Sequence, residues 1–287
     1  MSETPDIRLY VASRSWPQNE EFFEKKSDSI VYAKLYRNKL NYENKDEWFE
    51  KPKRLRFEKF DGAWLRLDQP VTEDLLDFLA KFEDQVAIAN SPRALIEVGS
   101  KEFLENFSEF VPGIKAHHTV ESVIDAATAG DVVVKPARGY GGYGILRVMD
   151  GTITTSDGRT LELSSEDGNH EIERSLPSIT MDYLHRVSEG DKRIVVCGGK
   201  IIGAILRTPK QGSWLANMAQ GGTASPSALT EREHAIVEVV EAEMNRRGIV
   251  LYGLDTLVGN DGERVHRRRA GFRRLVIPPR SGRYRQR

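Results

Sequence analysis

The spacing of hydrophobic residues divides the first third of the chain into strands and one helix. In VTEDLLDFLAKF (71–82), hydrophobic residues recur every three or four positions, which predicts a helix with one buried face. The apolar runs DGAWLRL (61–67) and DQVAIAN (84–90) on either side predict strands, and residues 7–13 predict an earlier one. A strand, a helix and a strand in this order favour a small α/β layer.

After Asp131 the pattern changes to short apolar runs separated by glycine turns. The segments VVVKP (132–136), GILRVMDG (144–151) and TITTSDGRTLEL (152–163) predict an antiparallel meander. The segment RIVVCGGKIIGAILRT (193–208) predicts a further hairpin, with its turn at the central glycine pair.

The last regular segments are a helix and a buried strand. Thr230 and Glu233 have capping-box spacing at the start of the predicted helix, and Gly248 marks its end. The apolar run IVLYGLDTLVG (249–259) then predicts a strand that ends in a turn at NDG (260–262).

The composition is that of a soluble globular protein. Of 287 residues, 39% are hydrophobic and 30% are charged. No apolar run approaches the ~18 residues of a membrane span, and the N-terminus lacks the basic and apolar regions of a signal peptide. The chain has one cysteine, which excludes an internal disulfide. We therefore expect a cytoplasmic protein with no membrane partner. The histidines at 117, 118 and 170 lack metal-ligand spacing and are expected at the surface.

The small net charge of −1 conceals an asymmetry. Residues 264–287 contain ten arginines and no aspartate, glutamate or lysine, so the rest of the chain carries a net charge of −11. A chain-wide field that attracts nucleic acid is therefore not expected, and nucleic acid is not an expected partner.

A glycine-rich loop follows the strand that ends in Lys135. Gly139, Gly141 and Gly144 match G-x-G-x-x-G, but strand-like sequence follows them, whereas a dinucleotide fold requires a helix there. A strand, a glycine loop and a strand can instead cover a nucleotide's phosphates with backbone N–H groups. In protein kinases the lysine lies on the strand after such a loop, and here it precedes it. A glycine-rich turn that binds nothing is the alternative.

The order of lysine and glycine loop resembles that of ATP-grasp ligases. The segment DYLHRVSEGDKRIVVCGGKIIGAILRTPKQGSWLANMAQGGTASPSALTERE (182–233) closely resembles the bacterial glutathione synthetase family. YGLDTLVG (252–259) resembles the strand that carries that family's first metal-binding aspartate, and NSPRALIEVGSKEFL (90–104) resembles the segment with its first nucleotide lysine. The resemblance extends from about Asp61 to Gly259.

This resemblance implies an α/β (α+β) chain with the ATP-grasp fold and an N-terminal α/β pre-ATP-grasp domain. The expected units are residues 1–92, an ATP-grasp domain at 93–263 and an atypical tail at 264–287. The implied reaction joins a carboxylate to an amine at the expense of ATP through an acyl phosphate, with Mg²⁺ (or Mn²⁺) as cofactor. The implied partners are ATP, a dipeptide and an amino acid, which are γ-glutamylcysteine and glycine for glutathione synthetase. A homo-oligomer is compatible with the sequence.

The resemblance also assigns roles to individual residues. Those that would hold the nucleotide are Lys101, Lys135, Gly139, Gly141, Gly142, Tyr143, Gly144, Met181, Tyr183, Leu184 and Asp191. The implied catalytic residues are Arg193, Arg207 and Asn217. Arg193 would bring charge near the ribose, phosphate and substrate carboxylate, and Arg207 and Asn217 would stabilise charge on the transferred phosphoryl group and the acyl phosphate. Backbone groups of Gly221 and Gly222 would contact the substrate, and Asp255 would bind Mg²⁺.

Some of these residues have a simpler interpretation. Asp191 and Lys192 also fit a solvated turn. A carboxylate in an apolar strand is costly unless it is paired or bound to metal, and for Asp255 we favour a Mg²⁺ ligand.

The pattern of the family breaks after Glu263. Its second metal-binding strand carries Glu-x-Asn, but symmetry about the NDG turn places Asp255 roughly opposite residue 267, within His-Arg-Arg (266–268). Arginine has no acceptor and cannot ligate Mg²⁺. Three explanations fit: a change of reading frame near Arg264, divergence into a weak or inactive form, or a genuine basic extension that contacts RNA. Sequencing the gene across codon 264 separates the first from the others.

Two functional alternatives accompany this break. One is another ATP-grasp ligase, such as one that adds glutamate to a protein or peptide. The other is an ATP-binding protein without turnover, which lacks the second metal-ligand strand.

Overall fold

The computed structural model describes residues 7–36, 51–68, 70–139, 143–209 and 223–268, except the side chains of residues 267 and 268. Its N-terminal elements are β1 Tyr10–Ala12, α1 Glu20–Phe23, β2 Ile30–Leu35, β3 Lys53–Arg56, β4 Gly62–Trp64, α2 Glu73–Ala80 and β5 Ala87–Ala89. Strands β1, β2 and β3 form an antiparallel sheet in that order, and β4 pairs with β5 in parallel. The predicted strand, helix and strand are confirmed.

Helix α2 buries the face that the spacing predicts. Leu75 and Leu79 are fully buried, and Thr72 caps the helix by accepting a hydrogen bond from the backbone N–H of Leu75. Its Phe78 packs edge-on against Phe22 of α1, with ring centroids 5.2 Å apart. Edge-to-face aromatic contacts of this kind hold the N-terminal core together.

The middle of the chain folds into a six-stranded sheet with the order β10-β9-β8-β7-β11-β6. The elements are α3 Pro92–Glu97, a 3₁₀ helix Lys101–Phe110, β6 Lys115–His117, α4 Val120–Ala129, β7 Val132–Pro136, β8 Leu146–Met149, β9 Thr152–Thr155, β10 Thr160–Glu162, α5 Glu166–Ser175 and β11 Ser178–Asp182. All neighbouring strands are antiparallel, which confirms the predicted meander. Val123 of α4 and Ile172 of α5 are buried in one core with Val134 and Leu146 of the sheet.

The last sheet has five strands in the order β14-β13-β12-β15-β16. Its elements are a 3₁₀ helix His185–Glu189, β12 Asp191–Cys197, β13 Lys200–Thr208, β14 Thr223–Pro226, α6 Glu231–Arg246, β15 Leu251–Val258 and β16 Arg264–Arg268. The predicted hairpin turn between β12 and β13 is confirmed, because Gly198 and Gly199 adopt positive φ angles of 53° and 74°. No helix in the described part of the chain is long and apolar enough to cross a membrane.

Helix α6 starts with the predicted capping box. The backbone N–H of Glu233 donates to Thr230 Oγ1 at 3.2 Å, and the N–H of Thr230 donates to Glu233 Oε2 at 2.9 Å. The same carboxylate accepts from Lys192 Nζ of β12 at 2.5 Å and from Thr256 Oγ1 of β15 at 2.6 Å. Glu233 is fully buried, so one carboxylate joins the helix start to two strands of the sheet.

Candidate active site

A pocket lies where β7 and β11 of the six-stranded sheet meet β15 of the five-stranded sheet. It encloses about 330 Å³, including the open space at its mouth, and its lining includes Val133, Lys135, Met181, Tyr183, Leu184 and Leu257. Four predicted nucleotide residues thus meet in one place, whereas Leu257 and Val187, which also line it, were not predicted. Leucine and valine are also common in the hydrophobic core, so the residue type alone does not indicate a pocket position.

Lys135 brings a positive charge to the wall of this pocket. Its side chain is buried, and Nζ lies 3.1 Å from the sulfur of Met181. A thioether is a weak acceptor, so an anionic oxygen in the pocket would be a stronger partner for the ammonium group. The pairing of Lys135 with Ile179 across β7 and β11 fixes its position.

Lys101 lies at the base of the glycine loop. Its Nζ donates to the backbone oxygen of Pro136 and, at 3.3 Å, to that of Gly139. Its backbone N–H donates to Ala137 O at 2.8 Å. Lys135 therefore lies on β7, and Lys101 contacts the end of the same strand and the start of the glycine loop.

The glycine loop connects two strands, as predicted, since Gly144 is followed by β8 and not by a helix. Gly139 and Gly144 have φ angles of 141° and 68°, and a Cβ atom on Gly144 would approach Pro136 Cγ to 3.0 Å. Tyr143 is exposed. Gly141 and Gly142 lie outside the described residues.

Four predicted residues of the five-stranded sheet form one charged cluster. Arg193 pairs across the strands with Asp255, and Asp191 pairs with Arg207. Arg193 donates from Nε and Nη2 to the two oxygens of Asp255, the second at 2.7 Å. Arg207 donates to Asp191 at 2.7 and 2.6 Å, and its Nη2 lies 3.1 Å from Asp255 Oδ1. Although burial alone would lower the pKa of Arg207, Asp255 and Asp191 raise it above its ordinary value.

The position of the cluster follows from alternation along the strands. Asp255 and Leu257 are two residues apart on β15, so they share a face, and Leu257 lines the pocket. The cluster therefore lies on the face of the sheet that carries Leu257 to the pocket. Lys192 lies between Asp191 and Arg193, so it faces the other side and pairs with Glu233. It is neither a solvated turn residue nor part of the cluster.

A two-strand metal site does not assemble among the described residues. These residues contain no group of three His, Cys, Asp or Glu side chains suited to a metal ion. In the ladder, Asp255 faces Arg268 and Thr256 faces His266, one position from the symmetric expectation because of a bulge. His266 is buried with Nδ1 3.2 Å from the backbone oxygen of Asp255, and burial lowers its pKa to about 4. Asp255, held by two arginines and faced by this strand, does not fit the predicted Mg²⁺ site.

Asn260, at the turn between β15 and β16, contacts the segment that lines the pocket. Its Nδ2 donates to the backbone oxygen of Tyr183 at 3.1 Å, and its Oδ1 accepts from the N–H of His185 at 3.0 Å. The two bonds hold the backbone on both sides of Leu184. This role of Asn260 was not predicted, because an asparagine in a turn indicates nothing about a segment 77 residues away.

The structure leaves three predicted residues untested and corrects the prediction for His117. Asn217, Gly221 and Gly222 lie outside the described residues and stay predictions. The expectation that His117 is a surface residue is wrong, because its ring is buried and lies within hydrogen-bonding distance of Thr180 Oγ1 (2.8 Å) and Ser122 Oγ (3.1 Å).

Solved structures of low sequence identity share the fold. The crystal structure of D-cycloserine synthetase has a TM-score of 0.56 and 15% identity, and the match covers 74% of this chain and 76% of that one. A RiPP-associated ATP-grasp ligase from Chryseobacterium gregarium, in complex with ADP and a leader and core peptide, has a TM-score of 0.52 and 15% identity over 92% of this chain and 77% of that one. The chain therefore has the ATP-grasp fold.

Sequence relatives narrow the family. The chain is 32% identical over 213 residues to the glutathione synthetase of Parasynechococcus marenigrum, which covers 72% of this chain and 67% of the relative. It is 28% identical over 213 residues to that of Bradyrhizobium diazoefficiens (73% and 65%) and 30% identical over 231 residues to that of Neisseria meningitidis serogroup B (77% and 70%). The chain thus spans about two thirds of the length of these relatives.

The family model agrees with these relatives. Residues 100–263 match the prokaryotic glutathione synthetase ATP-grasp domain, and the match ends immediately before the arginine-rich segment. The matched part contains both lysines, the glycine loop, the pocket and the charged cluster. Together with its fold, these matches show that the chain belongs to the prokaryotic glutathione synthetase family of ATP-grasp carbon–nitrogen ligases.

Proposed function

We propose that this chain binds ATP in the pocket at Lys135 and joins a carboxylate to an amine, with γ-glutamylcysteine and glycine as substrates. The observation that carries the proposal is the meeting of Lys135, Lys101 and the glycine loop with the apolar pocket of Met181 and Leu184. An apolar pocket suits a base, and Lys135 in its wall, with Lys101 at the base of the glycine loop, suits phosphates.

The chemistry requires two transfers at this site. A substrate carboxylate oxygen attacks the γ-phosphorus of ATP, the bond to the bridging oxygen breaks, and ADP leaves. The amine nitrogen then attacks the carbonyl carbon of the acyl phosphate, loses a proton, and phosphate leaves. Lys101, Lys135 and the arginines of the cluster would stabilise the charge on the transferred group, and the glycine loop would exclude water.

Mg²⁺ would enter with ATP as part of the substrate, because the family uses a divalent ion while Asp255 lacks a second carboxylate partner on β16. This observation favours a second candidate function, an ATP-binding protein with little or no turnover. Another carboxylate–amine pair, such as a peptide and glutamate, is a third outcome of the same assay.

An ADP-release assay tests these functions. With γ-glutamylcysteine and glycine, we expect ADP release that depends on both substrates and gives glutathione, checked by mass spectrometry. A variant with Arg267→Glu and Arg269→Asn introduces the Glu-x-Asn sequence of the family's second metal-binding strand and should release ADP faster. Release only with glutamate and a peptide would reassign the substrates. Nucleotide binding without ADP release from either protein would favour the second candidate and count against the ligase.

Replacement of Asn260 by alanine is expected to weaken ADP binding about fivefold. The variant loses two hydrogen bonds that position the backbone beside Leu184, which together are worth about 1 kcal/mol. Isothermal titration calorimetry gives the dissociation constant. The matched control is Asp261→Asn, in the same turn, which should bind ADP like the unchanged protein. Equal affinities of the alanine variant and the control would show that Asn260 does not position the pocket.

A further inference from the structure

The charged cluster of Asp191, Arg193, Arg207 and Asp255 is neutral as it stands. It contains two carboxylates and two guanidinium groups, and both carboxylates are buried, with 5% and 0% of their residue surfaces exposed. A divalent ion needs excess negative charge from its oxygen ligands. The cluster offers no such excess.

Both oxygens of Asp255 are already engaged. Oδ1 accepts from Arg193 and lies 3.1 Å from Arg207 Nη2, and Oδ2 accepts from Arg193 Nη2 at 2.7 Å. A metal ion would have to displace a guanidinium group from a buried carboxylate. Breaking a buried ion pair in this way is strongly unfavourable, since the displaced charge loses its partner.

The neighbouring strand contains arginines and no carboxylate in its sequence. Strand β16 has the sequence RVHRR (264–268), and its backbone pairs directly with β15 at Asp255. Among the described contacts, Arg193 and Arg207 donate from Nε and Nη2. Together with Lys101 and Lys135, the two guanidinium groups would suit phosphate oxygens.

We infer that this chain holds the phosphates of its nucleotide with fixed cations and not with a metal ion bound to its own side chains, so that ADP binds equally well with and without Mg²⁺. The inference rests on the nucleotide site of the proposed function. It separates this chain from a site in which carboxylates of two strands hold the metal that bridges the phosphates.

The test is calorimetric titration of the full chain with ADP, once with excess Mg²⁺ and once with EDTA. We expect the two dissociation constants to agree within about threefold, since no protein ligand to the metal is lost. A loss of more than about tenfold in EDTA would overturn the inference while leaving the proposed nucleotide site intact. No ADP binding in either buffer would overturn the proposed nucleotide site and the inference with it.

Two variants make the result sharper. Asp255→Asn should bind ADP as tightly as the unchanged protein or more tightly, because it releases Arg193 toward the phosphates, whereas loss of a metal ligand would weaken binding in Mg²⁺. Asp261→Asn, on the exposed turn of the same hairpin, is the control. A thermal melt checks that both fold. If Asp255→Asn does not fold, the comparison of Mg²⁺ with EDTA on the unchanged chain still decides. ADP binding by the Arg267→Glu and Arg269→Asn variant should become dependent on Mg²⁺. If folded Asp255→Asn binds ADP more weakly than the unchanged protein in Mg²⁺, the inference is refuted.

Discussion

Replacement of Glu233 by alanine is expected to lower the free energy of unfolding by about 3–5 kcal/mol. The variant leaves the buried ammonium group of Lys192 without its carboxylate partner, removes the acceptor for Thr256 Oγ1, and opens the capping box of α6. Denaturant unfolding followed by circular dichroism measures the change. Glu231→Ala is the matched control, because Glu231 lies in the same first turn but is exposed. An effect of Glu233→Ala no larger than that of the control would show that the network contributes little.

The same residue predicts a pH dependence. Burial by itself would raise the pKa of Glu233, but hydrogen bonds from Lys192, Thr256 and the Thr230 N–H lower it below its ordinary 4.5. A lowered pKa in the folded state contributes stability above the unfolded value, and this stability is lost as the pH falls through the folded value. Unfolding free energy should therefore decline below about pH 4.5, and the decline should be shallower in Glu233→Gln.

Replacement of Lys135 by methionine is expected to weaken ADP binding by roughly 10–150-fold. Methionine matches the length of lysine and suits the buried position, whereas the lost charge-assisted hydrogen bond to a phosphate is worth about 1.5–3 kcal/mol. Calorimetric titration gives the dissociation constant, and a thermal melt checks the fold. The control is Lys200→Met, an exposed lysine at the β12–β13 turn. Unchanged ADP affinity in Lys135→Met would remove Lys135 from the nucleotide site.

Local signals explain why much of the fold could be predicted. The capping box of α6 and the Gly198–Gly199 turn depend on a few neighbouring residues, so the sequence specifies them directly. The buried face of α2 follows from its spacing alone. The strand-like sequence after Gly144 likewise distinguishes this loop from that of a dinucleotide fold, in which a helix follows.

The candidate site was only partly predictable, because its pairs are distant along the chain. The family resemblance predicts a catalytic role for Arg193 and a metal-ligand role for Asp255, and the sheet pairs these two residues directly, 62 residues apart. His117 looked like a surface residue beside His118, but strand β6 places it against Thr180. Asn217, Gly221 and Gly222 stay predictions.

The triplet Asp191, Lys192 and Arg193 also determines how β12 can align with its neighbours. Asp191 and Arg193 meet Arg207 and Asp255 on one face, while Lys192 meets Glu233 on the other. A slip by one residue would turn all three side chains to the wrong face and bury three charges away from their partners. These three charges therefore specify the alignment of β12 with its neighbours at the centre of the sheet.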